Sequence, residues 1–262
     1  MFNPLSPVSD VRIKQNPWNN FFVDNELKQE IGKDVDRTFQ ERSLFTLDWI
    51  KTMMTNILFT WAKANPDISY KQGMNEILGT IIFVAYAEQA PERLEISRKA
   101  AAVLKTLNSP DGMEADTYWL FARVMELGVK ELFNPVINHG PPKKRNDLFE
   151  WDTDRNELVN TDKSNEEGTS YILRRCHKVH HRLLQSVDRE LYNHIERQRT
   201  EPQMYLQRWL RCVLSREFNF ADTLALWDAM FACVLPPHDE DLVLLDFICI
   251  AMLEFVRGFR KA

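Results

Sequence analysis

Apolar residues recur along this chain at intervals of three and four, segment after segment, and no run of Val, Ile and Thr alternates with polar residues between turn signals. That periodicity commits the chain to helices. From Phe45 to Ala64, Ile50, Met54, Ile57, Leu58 and Trp61 form one stripe, closed by Asn65-Pro66, because the residue before proline is driven out of the helical region. Gly73 to Gln89 is apolar nearly all round its middle, the pattern of a helix covered on every side. Further stripes appear at Tyr118, Phe121 and Met125, and at Ile172, Cys176, Val179 and Leu183. Others lie at Tyr205, Trp209 and Val213, at Phe220, Leu224, Trp227 and Phe231, and at Leu245, Ile248, Met252 and Phe255. The expectation is an all-α protein larger than a four-helix bundle.

One stretch departs from this pattern. Beyond Asn134-Pro135 and His139-Gly140-Pro141-Pro142, residues Lys143 to Gly168 hold 13 charged residues among 26, too few apolar groups to build a core. It reads as a surface insertion between two helical halves. Within it, Leu148, Phe149 and Trp151 make a small apolar cluster with acidic flanks, either stapled back onto the domain or presented as a linear docking motif.

Composition removes several functions. With 33 Lys+Arg against 38 Asp+Glu and a net charge of −5, the chain has no general attraction for nucleic acid or anionic lipid. The longest apolar stretch, Ile77 to Ala87, is short of the roughly 20 residues of a membrane span, and the polar, proline-broken start is not a signal peptide. Four cysteines without CxxC spacing read as reduced thiols in helices, hence a cytoplasmic protein. Glycine is scarce, with 8 residues, and neither GxGxxG nor GxxxxGK with a succeeding Ser or Thr occurs, so the chain lacks a phosphate cradle of its own.

Three constellations could carry chemistry. Cys176, His177, His180 and His181 are spaced for one side of a helix, but without HExxH or a second ligand segment no metal site is assigned. No GxSxG elbow marks a nucleophile, and the carboxylates Asp34 and Asp36, or Glu166 and Glu167, sit in charged contexts typical of solvated surface. The second constellation comes after a short helix around Leu27 and Ile31. There Gly32 suits a C-cap, Asp34 can bond backbone amides, Thr38 can cap the next element, and Arg37, taken alone, reads as an ordinary surface arginine or a partner for Asp34. The third is Tyr70-Lys71-Gln72-Gly73-Met74-Asn75, a polar loop opening into the most apolar helix. A glutamine there offers both an acceptor and a donor at a stiffly held point, and the glycine after it allows an unusual φ.

Ile31-x-x-Asp34-x-x-Arg37 and Tyr70-x-Gln72-Gly73-Met74 together resemble the paired signature of the TBC domain, a family of Rab GTPase-activating proteins. Arg208-Trp209-Leu210, Ser215-Arg216-Glu217-Phe218 and Leu226-Trp227-Asp228-Ala229-Met230-Phe231 are similar to that family's third block, in the right order. The resemblance runs from about Trp18 to the chain end. Asn3-Pro4-Leu5-Ser6 ahead of Trp18-x-x-Phe21-Phe22, with Asp34-Val35-Asp36-Arg37-Thr38-Phe39, resembles most the branch linked to retromer and endosomal traffic.

The resemblance implies a wholly helical, two-lobed, V-shaped domain. Residues 1–16 would be an N-terminal extension and 17–262 the domain, with an N-terminal lobe over about 17–133, the insertion over about 134–168 and a C-terminal lobe over about 169–262. It implies GTPase activation in trans: Arg37 as an arginine finger, Gln72 as a glutamine finger, and Asp34, Tyr70, Gly73 and Met74 in support. Trp227, Asp228 and Phe231 match too, but their helical spacing gives them packing roles and no chemistry. The partner would be a Rab in its GTP state, and that partner, not this chain, would hold GTP and Mg²⁺. The insertion would be the place for a retromer-type sorting subunit, and recruitment to vesicle or endosomal membranes would be peripheral. Two departures stand out: Gln40 occupies a position where many members have proline, and the chain stops at Gly258-Phe259-Arg260-Lys261-Ala262 where relatives continue into further helix, as a fragment would. The competing reading is an adaptor, catalytically weak or inactive, that scaffolds Rabs or a sorting complex through the insertion.

Overall fold

The structure, a computed structural model, describes residues 17–88, 112–134, 170–234 and 242–258. Among these residues there are helices and turns and no strand. The chain divides into two compact units, one up to Ala122 and one from Arg123.

In the first unit, α1 (Pro17–Asp36) packs on α2 (Asp48–Ala64), and both pack on α3 (Met74–Glu88). The core is the stripe that the periodicity predicts: Ile50, Met54, Ile57, Leu58 and Trp61 are buried, joined by Ile31 and Val35 of α1 and by Met74, Ile77, Leu78 and Ile82 of α3. Each such side chain stabilises the fold by about 1.5–3 kcal/mol on burial. Trp61 meets the ring edge of Phe121, on α4 (Met113–Glu126), at 5.8 Å between centroids. At the surface of the α1–α2 pair, Lys63 binds Asp24 at 2.7 Å and the Lys28 ammonium lies over the Phe59 ring.

Three expectations shift here. Gly32 does not cap a helix: α1 runs through it to Asp36, because Ile31 and Val35 continue the buried stripe and a Cβ at Gly32 would meet nothing within 4 Å. Thr38 does not cap a later helix but donates back to the carbonyl of Asp34 at 2.8 Å, closing the end of α1. The segment beginning at Phe45 also starts differently, with a 3-10 turn (Ser43–Thr46) that breaks at Leu47 before α2.

In the second unit, a 3-10 turn (Val129–Phe133) enters through Gly128 in the left-handed region, at φ 98°. Next, α5 (Tyr171–His177) runs on as a π-helical stretch (Lys178–Leu184) and a closing turn (Gln185–Val187), succeeded by α6 (Arg189–Arg197), α7 (Gln203–Arg211), α8 (Phe220–Val234) and α9 (Val243–Gly258). The π turn corrects one predicted face: Ile172, Cys176 and Val179 are buried as the spacing requires, but the next fully buried apolar residue is Leu184 rather than Leu183. Elsewhere Val213 is buried as its stripe requires, but Leu206 and Leu210 are buried where Tyr205 and Trp209 are only half-buried, and Phe255 is 69% exposed at the far end of α9.

Two polar devices fix this unit. Arg175 of α5 donates through Nε to Asp246 of α9 at 2.6 Å and through Nη2 to the carbonyl of Leu242, with Lys178 3.3 Å from the other carboxylate oxygen. Both Arg175 and Asp246 are buried, so losing either partner would strand a charge in the core. Secondly, the turn after α7 holds Val213 and Leu214 at φ 47° and 63°, a region that branched residues avoid. Complete burial of both, the Leu214 amide bonded to the Trp209 carbonyl at 2.9 Å and the Trp227 indole N–H donating to the Val213 carbonyl at 2.8 Å keep them there.

Asp188 caps α6, accepting the Leu191 amide at 2.9 Å, and pairs with Arg257 of α9. The amide first, and then the guanidinium, hold its carboxyl below the ordinary value of 3.8. Its contribution is therefore complete above the ordinary carboxylate range and is lost as pH falls through the lowered folded value. Asp188→Ala is expected to destabilise the unit by about 1–2 kcal/mol at neutral pH, the cost of a lost cap. The difference from wild type should shrink as the solution is made strongly acidic, measured by urea unfolding across that range.

Candidate functional site

The two loops singled out in the sequence meet at one buried carboxylate. Asp34 sits in the last turn of α1, and Arg37 lies three residues on, where α1 gives way to a turn. The chain then makes a sharp bend, with Phe39 at φ 42° and the Arg42 amide bonded to its carbonyl at 2.9 Å. Phe39 is nevertheless buried, its ring 5.2 Å from that of Phe45, and Gly79 of α3 supplies the space. A Cβ at Gly79 would stand 2.8 Å from Phe39 Cε2 and 3.2 Å from Thr38 Cγ2.

The second loop is shaped at both ends. Asn65 turns the chain out of α2, its amide side chain donating to the Trp61 carbonyl at 2.9 Å and its own carbonyl accepting from the Ser69 amide at 2.8 Å. Ser69 takes a φ of 57°, and Gly73 a φ of 108°, where a side chain would be strained. Between them Tyr70 is directed inward and Gln72 outward: Tyr70, Gly73 and Met74 are buried, while Lys71 and Gln72 are exposed.

Asp34 receives groups from both loops. Tyr70 donates its hydroxyl to Oδ2 at 2.7 Å, and Arg37 pairs through Nη2 with Oδ1. Asp34 is 6% exposed, whereas the Arg37 side chain is 55% exposed, so the guanidinium is anchored at one edge and lies at the surface. Burial first, and then the Asp34 carboxylate, push the Tyr70 phenol well above its ordinary value of 10, so it is a permanent donor. The expectation that Asp34 bonds backbone amides is corrected: its carboxylate serves side chains.

One contact of this site escapes sequence reasoning. Asn75, in the first turn of α3, accepts the Gly73 amide at 3.0 Å and donates to Thr38 Oγ1 at 2.9 Å, and both Asn75 and Thr38 are buried. Asn75 closes the loop segment singled out in the sequence, but nothing in the local pattern names its partner, though Thr38 stands beside the singled-out arginine.

The remaining candidates belong to the second unit or lie outside the described residues. His180 is fully buried, with Nε2 2.8 Å from Glu196 Oε1 and Nδ1 2.6 Å from the Tyr205 hydroxyl. His181, His180 and Glu196 could together approach a metal ion, but both ring nitrogens of His180 are engaged in hydrogen bonds that join the π stretch to α6 and α7. Burial pushes the Cys176 thiol up to about 12, leaving it protonated and inert. In the third block, Trp227 and Phe231 pack edge to face at 5.6 Å, Asp228 is exposed, and Arg208 binds Glu217 through two bonds at 2.8 and 2.9 Å. Leu148, Phe149 and Trp151 lie outside the described residues, as does the whole stretch 143–168.

Among the described residues, then, helices and turns set an arginine and a glutamine on neighbouring loops that meet at one buried carboxylate. The chain belongs to the Rab-GTPase-TBC domain family, whose model matches residues 11–148 and 159–258. It is 34% identical over 257 residues to TBC1 domain family member 5 of Homo sapiens, covering 97% of this chain and 30% of that protein. To TBC1 domain family member 5 homolog B of Dictyostelium discoideum it is 25% identical over 341 residues, covering 98% and 32%. The chain thus spans less than a third of the length of these relatives. In three dimensions it is similar to the crystal structure of the Ypt/Rab-GAP domain of Gyp1p, with a TM-score of 0.60 over 88% of this chain and 60% of that one. At 21% sequence identity, that likeness speaks for the fold. Among the described residues, no helix is long and apolar enough to cross a membrane.

Gly79→Ala tests how tightly the Arg37 loop is seated on α3. Overpacking against Phe39 and Thr38 costs about 1–3 kcal/mol, more than the ~1 kcal/mol that alanine gains over glycine in a helix. The variant should be less stable than wild type in chemical denaturation, and a more stable variant would show that the Phe39 ring yields.

Proposed function

We propose that this domain is a GTPase activator for a Rab-family small GTPase and acts in trans through Arg37 and Gln72. The observation that carries the reading is the pairing of these two side chains. Both are exposed on adjacent loops, and both loops are held from beneath by the Asp34–Tyr70 contact and by buried Gly73 and Met74.

The chemistry asks for positioning rather than for a covalent intermediate. Water attacks the γ-phosphoryl group of GTP, GDP leaves, and inorganic phosphate is released. The nucleotide and Mg²⁺ belong to the partner. Arg37 would place its guanidinium against the oxygens on which charge accumulates, a role that its planar, permanently charged fork fits and an ammonium does not. Gln72 would accept a hydrogen bond from the attacking water through its carbonyl and direct its amide toward the partner. Asp34 supports the arginine without removing it from solvent, since the pair engages one edge of the guanidinium. An arginine supplied in trans accelerates hydrolysis by about 10³- to 10⁵-fold in systems of this kind.

The test is phosphate release from a panel of GTP-loaded Rabs, in which wild type should accelerate hydrolysis by at least one of them. Arg37→Ala should raise the barrier by ~3 kcal/mol or more. Gln72→Ala should lower the rate by a smaller factor, and an Arg37→Ala variant as active as wild type would end the assignment.

A retromer-type sorting subunit is the second proposed partner, supported by the apolar cluster Leu148, Phe149 and Trp151 within the charged segment. It would bring the domain to vesicle or endosomal membranes peripherally. Deleting residues 143–168 should abolish capture of such a subunit while leaving Rab hydrolysis unchanged. Capture retained after the deletion would dismiss the docking role, and hydrolysis lost entirely with unchanged folding would move the segment into the GTPase interface.

A further inference from the structure

The proposed activity requires two side chains from separate loops to reach one transition state together, and besides Asp34 a second buried side chain bonds to groups on both loops. We propose that Asn75 is a positioning residue that sets the Arg37 and Gln72 loops in register, an inference that rests on the GTPase-activating reading above.

Asn75 is 2% exposed. Its Oδ1 accepts the amide of Gly73, the residue after Gln72, at 3.0 Å. Its Nδ2 donates to Thr38 Oγ1, on the residue after Arg37, at 2.9 Å, and lies 3.4 Å from the Asp34 carbonyl. Thr38 passes the connection on by donating its own hydroxyl to that carbonyl at 2.8 Å. The chain of bonds therefore runs from the Gly73 amide through one side-chain amide and one hydroxyl to the last turn of α1. It joins the residue immediately after each exposed side chain, through an Asn75–Thr38 bond that spans 37 residues of sequence.

The chemistry singles out asparagine. An aspartate at this position could accept from Gly73 but could not donate to Thr38, and would add a second carboxylate beside Asp34. Glutamine is one methylene longer in a packed site, and serine is too short to reach both loops. The Tyr70–Asp34 bond also joins the loops, and the Tyr70 hydroxyl lies 3.3 Å from Asn75 Oδ1, but the Asp34 carboxylate acts on the Arg37 side chain, whereas Asn75 reaches the Gly73 backbone directly and the Asp34 backbone directly and through Thr38. With φ at 108° for Gly73 and 42° for Phe39, each loop bends sharply at or just past its attachment to Asn75, so a shift at Asn75 would move the two ends independently. Misplacement of a reacting group by about 1 Å costs on the order of 100-fold in rate.

The experiment uses the chain as it stands and the Rab whose hydrolysis wild type accelerates most. Single-turnover phosphate release is measured against increasing concentration of the activator, giving a plateau rate and a half-saturating concentration. Asn75→Leu should lower the plateau by about 10- to 100-fold and change half-saturation by less than about threefold. Thr38→Val, which removes the hydroxyl link, should shift the plateau in the same direction, and Thr38→Ser, which keeps the hydroxyl, should recover most of that loss. Affinity for the same Rab loaded with a non-hydrolysable GTP analogue should be unchanged when Asn75→Leu is added to the Arg37→Ala/Gln72→Ala variant.

An unchanged plateau in a folded Asn75→Leu variant, or a loss confined to half-saturation, overturns the proposal. If Asn75→Leu does not fold, the Thr38 pair decides: equal plateaus for the valine and serine variants overturn it. Arg37→Ala and Gln72→Ala are measured alongside. If neither lowers the plateau, the activating reading itself fails; if both do and the Asn75 and Thr38 variants do not, only the register role falls.

Discussion

A carboxylate with two oxygens, buried between two loops and shared by an arginine and a tyrosine, is the constraint on which the candidate site depends. Asp34 is costly to bury as a charge, and it is stable in place because the Tyr70 hydroxyl and the Arg37 guanidinium satisfy one oxygen each. Because the tyrosine reaches it from 36 residues away, that pairing also fixes where the 65–73 loop must lie relative to α1. The exposed position of Gln72 results from this, since Tyr70 turned inward, the strained φ of Ser69 and the glycine at 73 leave residue 72 facing outward. One local electrostatic requirement thus orders both loops.

The second unit solves a different problem by similar means. It is held by a buried Arg175–Asp246 pair and by an indole that donates to a backbone carbonyl in a left-handed turn. Both devices are spent on packing one helix against another. Family resemblance in the third block therefore reflects framework: Trp227 and Phe231 pair with each other, as do Arg208 and Glu217, within the unit.

Much of this was legible in the sequence because it is written in local periodicity. The α2 stripe from Ile50 to Trp61 and the apolar character of α3 stem from side chains three and four apart, which a helix must place on one face. The pair of loop motifs was legible too, since Asp34, Arg37, Tyr70 and Gln72 stand at set spacings in a recognisable order. Long-range pairing was not. Asn75 reads locally as a first-turn helix residue, and only the folded chain shows that its partner is Thr38. Gly32 reads as a helix stop because glycine so often is one, yet tertiary packing of Ile31 and Val35 carries α1 past it. Val213 and Leu214 carry no sign of their left-handed backbone, because burial imposes it against their own preference.

The π-helical stretch from Lys178 to Leu184 has a consequence for how this chain tolerates change in length. Such a stretch absorbs a surplus residue into a wider turn while the helix on either side keeps its facing. Cys176 and Leu184 are both fully buried although they stand eight positions apart; one position fewer is close to two regular turns of an α-helix. Loss of the exposed Arg182 would therefore let the winding become regular with both residues still seated on one face. The same loss in the middle of α2 or α9 would turn every residue beyond it by about 100° and pull a buried stripe out of the core. Among the described helices, then, the stretch from Lys178 to Leu184 is a place where the length can change without a rotation.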